Sequence, residues 1–351
     1  MLAHIKILAS DQFEGRAPGT KGEELSIKYI TDQFKQTGLK PGNPDGTYIQ
    51  EVPLAGIKSE PRMSFTIGDK TTELKYPDNF IASSARLQPE IKITDSDVVF
   101  VGYGIVAPEY GWDDYKDIDL RGKTLLMLIG DPQIPDPNDP SKLDDKMFKG
   151  KAMTYYGRWI YKYEIAAQKG AAAAVIIHET GPAGYPYSVV KTSWAKENYE
   201  IDAPNKNMGA VEARSWVTLD AAKKLLVDCG QDFEALRKSA ITKEFRPVVL
   251  NANAYVEIKQ QIRSFKSHNV IGKLDGSDPK LQDEYRGWET YHARRCPVPD
   301  SSSHFHLQRR SRCPWSSPVP SGLSQSRRVL TDPHSDVRTA ASAVRWTRHY
   351  P

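Results

Sequence analysis

Few side chains in this sequence have the type and spacing that chemistry requires. His178 closes the apolar run Val175-Ile176-Ile177. A zinc site needs three or four convergent donors, so a lone histidine at a strand end reads as a structural residue with its ring nitrogens satisfied. Cys229 lies on the apolar face of a helical pattern spanning Thr218–Cys229, with Ala222, Leu225 and Leu226. Nothing in the neighbouring sequence would hold it as a thiolate, so it reads as a small core residue. Asp136, Asp139, Asp144 and Asp145 offer the oxygen ligands that calcium prefers. Their spacing fits no calcium loop, and their alternation with proline is that of a solvated surface loop. The three cysteines, Cys229, Cys296 and Cys313, show neither metal-ligand spacing nor a disulfide framework.

The elements that would position such residues are easier to read. Val98-Val99-Phe100-Val101 is a β-branched, apolar run, and Gly102-Tyr103-Gly104 lets the chain bend before Ile105-Val106. A polar-aromatic turn, Trp112-Asp113-Asp114-Tyr115, follows. Arg121-Gly122-Lys123 leads into Thr124–Ile129, a second buried strand stopped by Gly130-Asp131-Pro132. Trp159, Ile160, Tyr163 and Ala167 fall on one helical face that ends at Gly170, and Ala173–Ile177 forms the next buried strand.

Toward the N-terminus, Leu2, Ile5 and Leu8 have helical spacing. A helix opening this close to Met1 leads us to expect a native start further upstream. Thr20-Lys21-Gly22-Glu23 has capping-box spacing ahead of an amphipathic helix through Leu25, Ile27, Ile30 and Phe34, closed by Gly38 with Pro41 beyond. Tyr48–Leu54 reads as a strand. Residues 55–94 read as short strands and turns: Met63–Ile67, a turn at Gly68-Asp69, then Thr71–Lys75. Residues 181–199 read as irregular, with Tyr185, Tyr187 and Trp194 either lining a substrate entrance or, as is more common, packing on the β core. Helices are expected over Thr218–Cys229 and Asp232–Ala240, and a strand over Val248–Lys259.

Four stretches resemble known families. "DYKDIDLRGKTLLMLIGDP" and "EIAAQKGAAAAVIIH" resemble the protease-associated (PA) domain, which is usually inserted in a larger peptidase. "LASDQFEGRAPGTKGEELSIKYITDQFKQTGLKPG" resembles the opening of the two-zinc aminopeptidase and glutamate-carboxypeptidase-like metallopeptidases. "SHNVIGKLDGSDPKLQDEY" resembles the point where those proteins return to the peptidase domain. The resemblance covers about 285 of the 351 positions. It implies an α/β fold: an incomplete peptidase α/β sandwich split by a β-rich PA insert. The boundaries are 1–54 for the first peptidase segment, 55–262 for the insert with its PA core at 95–260, and 263–285 for the return strand. Residues 286–351 form an Arg/Ser/Pro-rich tail expected to be disordered.

The tail is written in a different composition. It holds eleven arginines but none of the chain's lysines, eleven serines, five of the eight histidines and no isoleucine. The net charge of +4 is the sum of an acidic body, −3 over residues 1–285, and this basic tail at +7. In the family, every zinc ligand and the glutamate base lie after the return segment, starting with a His-x-Asp at the end of a buried strand. The metals would activate a water and the glutamate would take its proton. Here the pattern stops after Tyr285. Glu289 is the tail's one glutamate, so no Glu-Glu pair exists. His334-Ser335-Asp336 follows Thr331-Asp332-Pro333 instead of a strand and reads as chance, and His304-Phe305-His306 lacks partners.

The sequence therefore assigns no catalytic residue, no metal ligand and no substrate-binding residue. Two zinc ions belong to the intact family, and none is expected on this chain. An out-of-frame translation from about residue 286 accounts for the abrupt shift. The resemblance implies a fragment of a zinc aminopeptidase acting on peptides, inactive as it stands, and the alternative is a non-catalytic PA module that binds proteins or peptides. Arginine with Trp288, Trp315 and Trp346 raises nucleic-acid binding, but the arginines have no helical period or known module, so no nucleic-acid partner is expected. No apolar run is long enough to span a membrane, and no charged leader precedes an apolar core. The family's members are commonly periplasmic, secreted or membrane-anchored.

Overall fold

The computed structural model describes residues 1–116 and 118–276. The chain divides into two compact units. One is discontinuous, built from Met1–Glu51 and, among the described residues, 268–276, and the other is built from Val52–Ser267. The expected disordered tail, Cys296, Cys313, Glu289, the tail histidines and the end of the return segment (277–285) lie outside the described residues.

In the discontinuous unit, α1 (Leu2–Leu8) buries no residue. α2 (Lys21–Gln36) begins at Thr20, whose side chain accepts the Glu23 N–H at 3.4 Å. The Glu23 carboxylate accepts the N–H of Gly19, so both halves of the cap motif satisfy free amides of the helix start. Ile30 and Phe34 on one stripe of α2 pack with Leu39 and Val270 into a small core. Lys40–Pro41 pairs antiparallel with Gly272–Lys273.

The second unit is a nine-stranded mixed sheet with helices. In chain order its strands are β1 (Ile49–Ile67), β2 (Lys70–Glu73), β3 (Phe80–Ser83), β4 (Glu90–Phe100), β5 (Thr124–Leu128), β6 (Ala173–His178), β7 (Asn198–Ile201), β8 (Ala213–Thr218) and β9 (Val248–Val270). The helices are α3 (Trp159–Gln168), α4 (Thr180–Ala183), α5 (Tyr187–Trp194), α6 (Leu219–Asp228) and α7 (Phe233–Ser239). The strand order is β7-β1-β9-β4-β5-β6-β8-β3, with β2 paired to β1. β4, β5, β6 and β8 run parallel. β5 and β6 are buried at every residue, which is why their sequences are continuous apolar runs instead of alternating ones. β9 alternates: Leu250, Ala252, Ala254, Val256 and Ile258 face the core. The architecture is mixed α/β, as the sequence implies.

Several elements differ from expectation. Residues 55–67 are the continuation of one 19-residue strand, β1. Pro61 hides it, because a proline within a run normally demotes a strand. It falls between Leu54–Ile57, which pair with β7, and Ser64–Ile67, which pair with β2. β9 likewise runs to Val270, well past Lys259. Residues 181–199 contain α5, not only irregular chain. On α3, Ile160 is 41% exposed, and the inward face instead includes Tyr161, Lys162, Tyr163, Ile165 and Ala166. Three aromatic residues near its start compete for the interior and rotate the buried stripe.

Candidate functional site at the carboxyl ends of the parallel strands

Open parallel sheets gather their ligands beyond the carboxyl ends of the strands. In the Val52–Ser267 unit these ends carry Val101–Gly104 after β4, Ile129–Asp131 after β5, His178-Glu179 after β6, and Thr218 closing β8. The most polar interior of the unit is assembled there.

Its centre is Lys162, which α3 turns inward and which has no exposed surface. Its Nζ donates to the carbonyl oxygens of Tyr103, at 2.5 Å, and Gly130, at 3.1 Å. The bends that present those oxygens depend on glycine. Gly102 and Gly104 have φ of +59° and +61°, and a Cβ on Gly104 would lie 2.9 Å from the Tyr115 hydroxyl. Gly102-Tyr103-Gly104 is therefore the bend its sequence suggests, and the bend exposes a carbonyl to a buried ammonium.

Two carboxylates face this charge. Asp114 is 1% exposed and accepts the Ile105 N–H at 2.9 Å and the Trp112 indole N–H at 2.8 Å. Asp131 accepts the N–H and the hydroxyl of Thr154 at 2.6 and 2.9 Å. Gly157 packs against the Asp131 carboxyl, where a Cβ would come within 2.8 Å. Burial dominates the protonation of the group. It pulls Lys162 down to about 8, against the opposing pull of Asp131 and Asp114. It pushes Asp114 up to about 7 and Asp131 upward, against their hydrogen bonds and Lys162. Near Tyr103, Glu179 pairs with Arg237 at 3.1 Å. Burial also raises Tyr103 to about 12.

An amine with a lowered pKa is the raw material of a nucleophile or a general base. Such a group must also reach a substrate, and Lys162 meets only protein. The arrangement thus draws the ends of β4 and β5 onto α3 and excludes water from between them. Sequence patterning passes over Lys162 because lysine is assigned to solvent by default. One signal was available: Trp159, Lys162, Tyr163 and Ala166 share helical spacing, which places a lysine on an apolar face.

The residues singled out from sequence are not brought together. His178 is buried among the rings of Tyr187, Trp216 and Tyr185, with centroids at 5.5, 5.8 and 5.9 Å. Burial lowers its pKa. Contrary to the expectation of a fully satisfied ring, its Nε2 has no hydrogen-bond partner among the described residues, because aromatic walls surround it. Tyr185 and Tyr187 also pack here, while Trp194 packs against Trp159 and Tyr163. Cys229 is half-buried, with its thiol pushed up by burial. Asp136 caps the N–H groups of Asn138 and Asp139, Asp139 that of Ser141, and Asp144 that of Lys146, so these carboxylates are spent on loop turns. Asp145 lies against Gly150, where a Cβ would come within 2.4 Å of its carboxylate. Among the described residues, no three His, Cys, Asp or Glu side chains are grouped so as to hold a metal ion. No described helix is long and apolar enough to cross a membrane.

No family model matches the chain, and no curated protein matches it. Among solved structures, the chain is similar to an aminopeptidase from Aneurinibacillus sp. strain AM-1, with 20% identity and a TM-score of 0.34 over 77% of this chain and 47% of that one. It is also similar to BSAP, a zinc aminopeptidase from Bacillus subtilis, with 13% identity and a TM-score of 0.27 over 79% of this chain and 47% of that one. The chain spans about half the length of these solved structures.

Proposed function

We propose that this chain is the portion of a zinc aminopeptidase that contains its inserted PA domain and the opening of its peptidase domain. The observation that carries this reading is the order of the units. A compact unit, Val52–Ser267, interrupts another whose described parts come from both sides of it. That is the organisation implied by the ordered match of loop, cap, helix and return segment. The described residues do not fit a zinc pair, since no trio of donors converges. No hydrolytic step is assigned to them, and peptide hydrolysis belongs to the intact relative. Residues from about 286 are read as an out-of-frame translation.

The coding DNA tests this directly. Read in the other two frames downstream of codon 285, it is expected to yield a buried strand ending in His-x-Asp and, later, a Glu-Glu pair. If neither frame contains them, the aminopeptidase reading is lost. The second reading, a non-catalytic module that binds proteins or peptides, then takes its place. The complete core of the Val52–Ser267 unit favours it. Zinc separates the two in solution, because an enzyme of this class holds it stoichiometrically and a module does not.

A further inference from the structure

We infer that the Val52–Ser267 unit carries a docking cleft for an extended peptide segment that places a basic side chain beside apolar ones. The inference rests on this unit alone and stands apart from the aminopeptidase reading. The cleft, about 330 Å³, opens between the β1–β2 hairpin and α6. That volume is at the lower end of the range for ligand pockets and takes a few side chains.

Its floor is apolar. Phe65 and Leu225 are buried at the base, and Ile67 and Leu74 are partly buried beside them. A segment laid over them would remove its own aliphatic side chains from water, at about 25 cal/mol for each Å² covered.

The rim is acidic. Glu73, Asp220 and Asp228 line the cleft together with one cation, Lys224. Lys224 is already committed to Asp228 at 2.7 Å, one helical turn away. Glu73 and Asp220 are exposed and make no side-chain ion pair or hydrogen bond among the described residues. Asp220 sits in the first turn of α6, where the helix dipole favours a carboxylate. Glu73 has no such local reason. Lys70, at the start of β2, also acts on Asp228, so with both lysines set against the three carboxylates the mouth keeps a net negative charge, centred on Glu73 and Asp220, that attracts an ammonium or guanidinium.

The backbone points to a peptide as the bearer of that cation. β2 pairs with β1 alone, so among the described residues its second edge has no partner strand. Thr72 and Glu73 of this edge line the cleft. An unpaired edge beside an apolar floor suits strand addition, in which main-chain hydrogen bonds give affinity and alternate side chains give specificity. The occupant is then an extended segment with Lys or Arg reaching Glu73 and Asp220 and a flanking Leu, Ile or Phe on the floor.

The test uses the full chain and a fluorescein-labelled Gly-Ile-Arg-Ile-Gly peptide, followed by fluorescence anisotropy. Saturable binding is expected. It should weaken by about tenfold or more when Glu replaces Arg in the peptide, and similarly in the Glu73→Gln/Asp220→Asn variant. Both substitutions are on the surface, so circular dichroism should be unchanged. Amide exchange at Lys70–Glu73 should slow when the peptide is added. The inference is overturned if no binding is seen up to about 1 mM peptide, or if the Glu peptide or the variant binds as tightly. It is also overturned if exchange at Lys70–Glu73 does not change on binding.

Discussion

The carboxylate of Glu23 accepts the backbone N–H of His268 at 3.2 Å, across a sequence separation of 245. Both residues belong to the discontinuous unit, so this bond joins its two chain segments. The same carboxylate accepts the Gly19 N–H at the start of α2. It is 3% exposed, so water does not replace either bond if it is removed.

Glu23→Ala is therefore expected to destabilise this unit by about 1–3 kcal/mol, the cost of leaving buried donors unpaired. Glu23→Gln keeps one acceptor oxygen and should cost less. Urea unfolding followed by tryptophan-independent circular dichroism measures both. A midpoint for the alanine variant equal to wild type would show that the bond contributes nothing.

Gly22, next to it, opposes two effects of different size. Replacing a helical glycine by alanine normally gains about 1 kcal/mol. Here the new Cβ would lie 2.0 Å from the Phe13 carbonyl oxygen and 2.9 Å from its carbon. Backbone cannot swing aside as a flexible side chain can, so the clash wins. Gly22→Ala should destabilise by about 2 kcal/mol or more, comparable to overpacking a core. A variant that melts at or above the wild-type temperature would mean that the loop at Phe13 gives way freely.

How much of this was legible beforehand depends on where each signal is stored. β5 and β6 were visible because both faces are buried and their residues are uniformly apolar. The α2 cap was visible because capping is local, with Thr20 and Glu23 three residues apart. β1 was not visible as one strand, since Pro61 reads as a break until its pairing is known. α5 was hidden by Gly184 and Pro186, which punctuate its start. Lys162 was missed for a different reason. What retains it in the interior is a pair of carbonyls at the ends of two distant strands. Nothing within a helical turn of Lys162 encodes them.

Asp78 supplies an acid-limb prediction. It pairs with Lys191 at 2.6 Å and with Lys75 at 2.9 Å. Hydrogen bonding to Lys191, then to Lys75, lowers its carboxyl to about 2 from 3.8. A carboxyl lowered by folding contributes stability above its unfolded value that is lost as pH falls through its folded value. The contribution should be complete above about pH 4 and vanish near pH 2, with high salt reducing it because the pairs are exposed. Asp78→Asn should make the stability profile flatter across that window. Parallel profiles for variant and wild type would remove Asp78 from the acid response.

Lys162 gives the alkaline counterpart, and with the opposite slope. Burial lowers it to about 8 from 10.5. Below pH 8 the ammonium is charged in both the folded and unfolded states, and the desolvation penalty acts in full. Between about 8 and 10.5 the folded protein releases its proton while the unfolded chain retains it. The unfolded state then binds more protons, so this group's contribution to stability rises with pH across that window. Lys162→Met should abolish the rise. It should also cost about 3–5 kcal/mol near neutral pH, because Asp131 and Asp114 lose their buried counter-charge and the Tyr103 and Gly130 carbonyls lose their donor. Adding Asp131→Asn to Lys162→Met removes one of the stranded charges, so the double variant should recover part of the loss. Denaturant unfolding of wild type, the single variant and the double variant at pH 7 and pH 10 measures all three effects. Additive losses in the double variant would mean that Lys162 and Asp131 do not sense each other, and the interior cluster would reduce to two independent hydrogen-bonded groups.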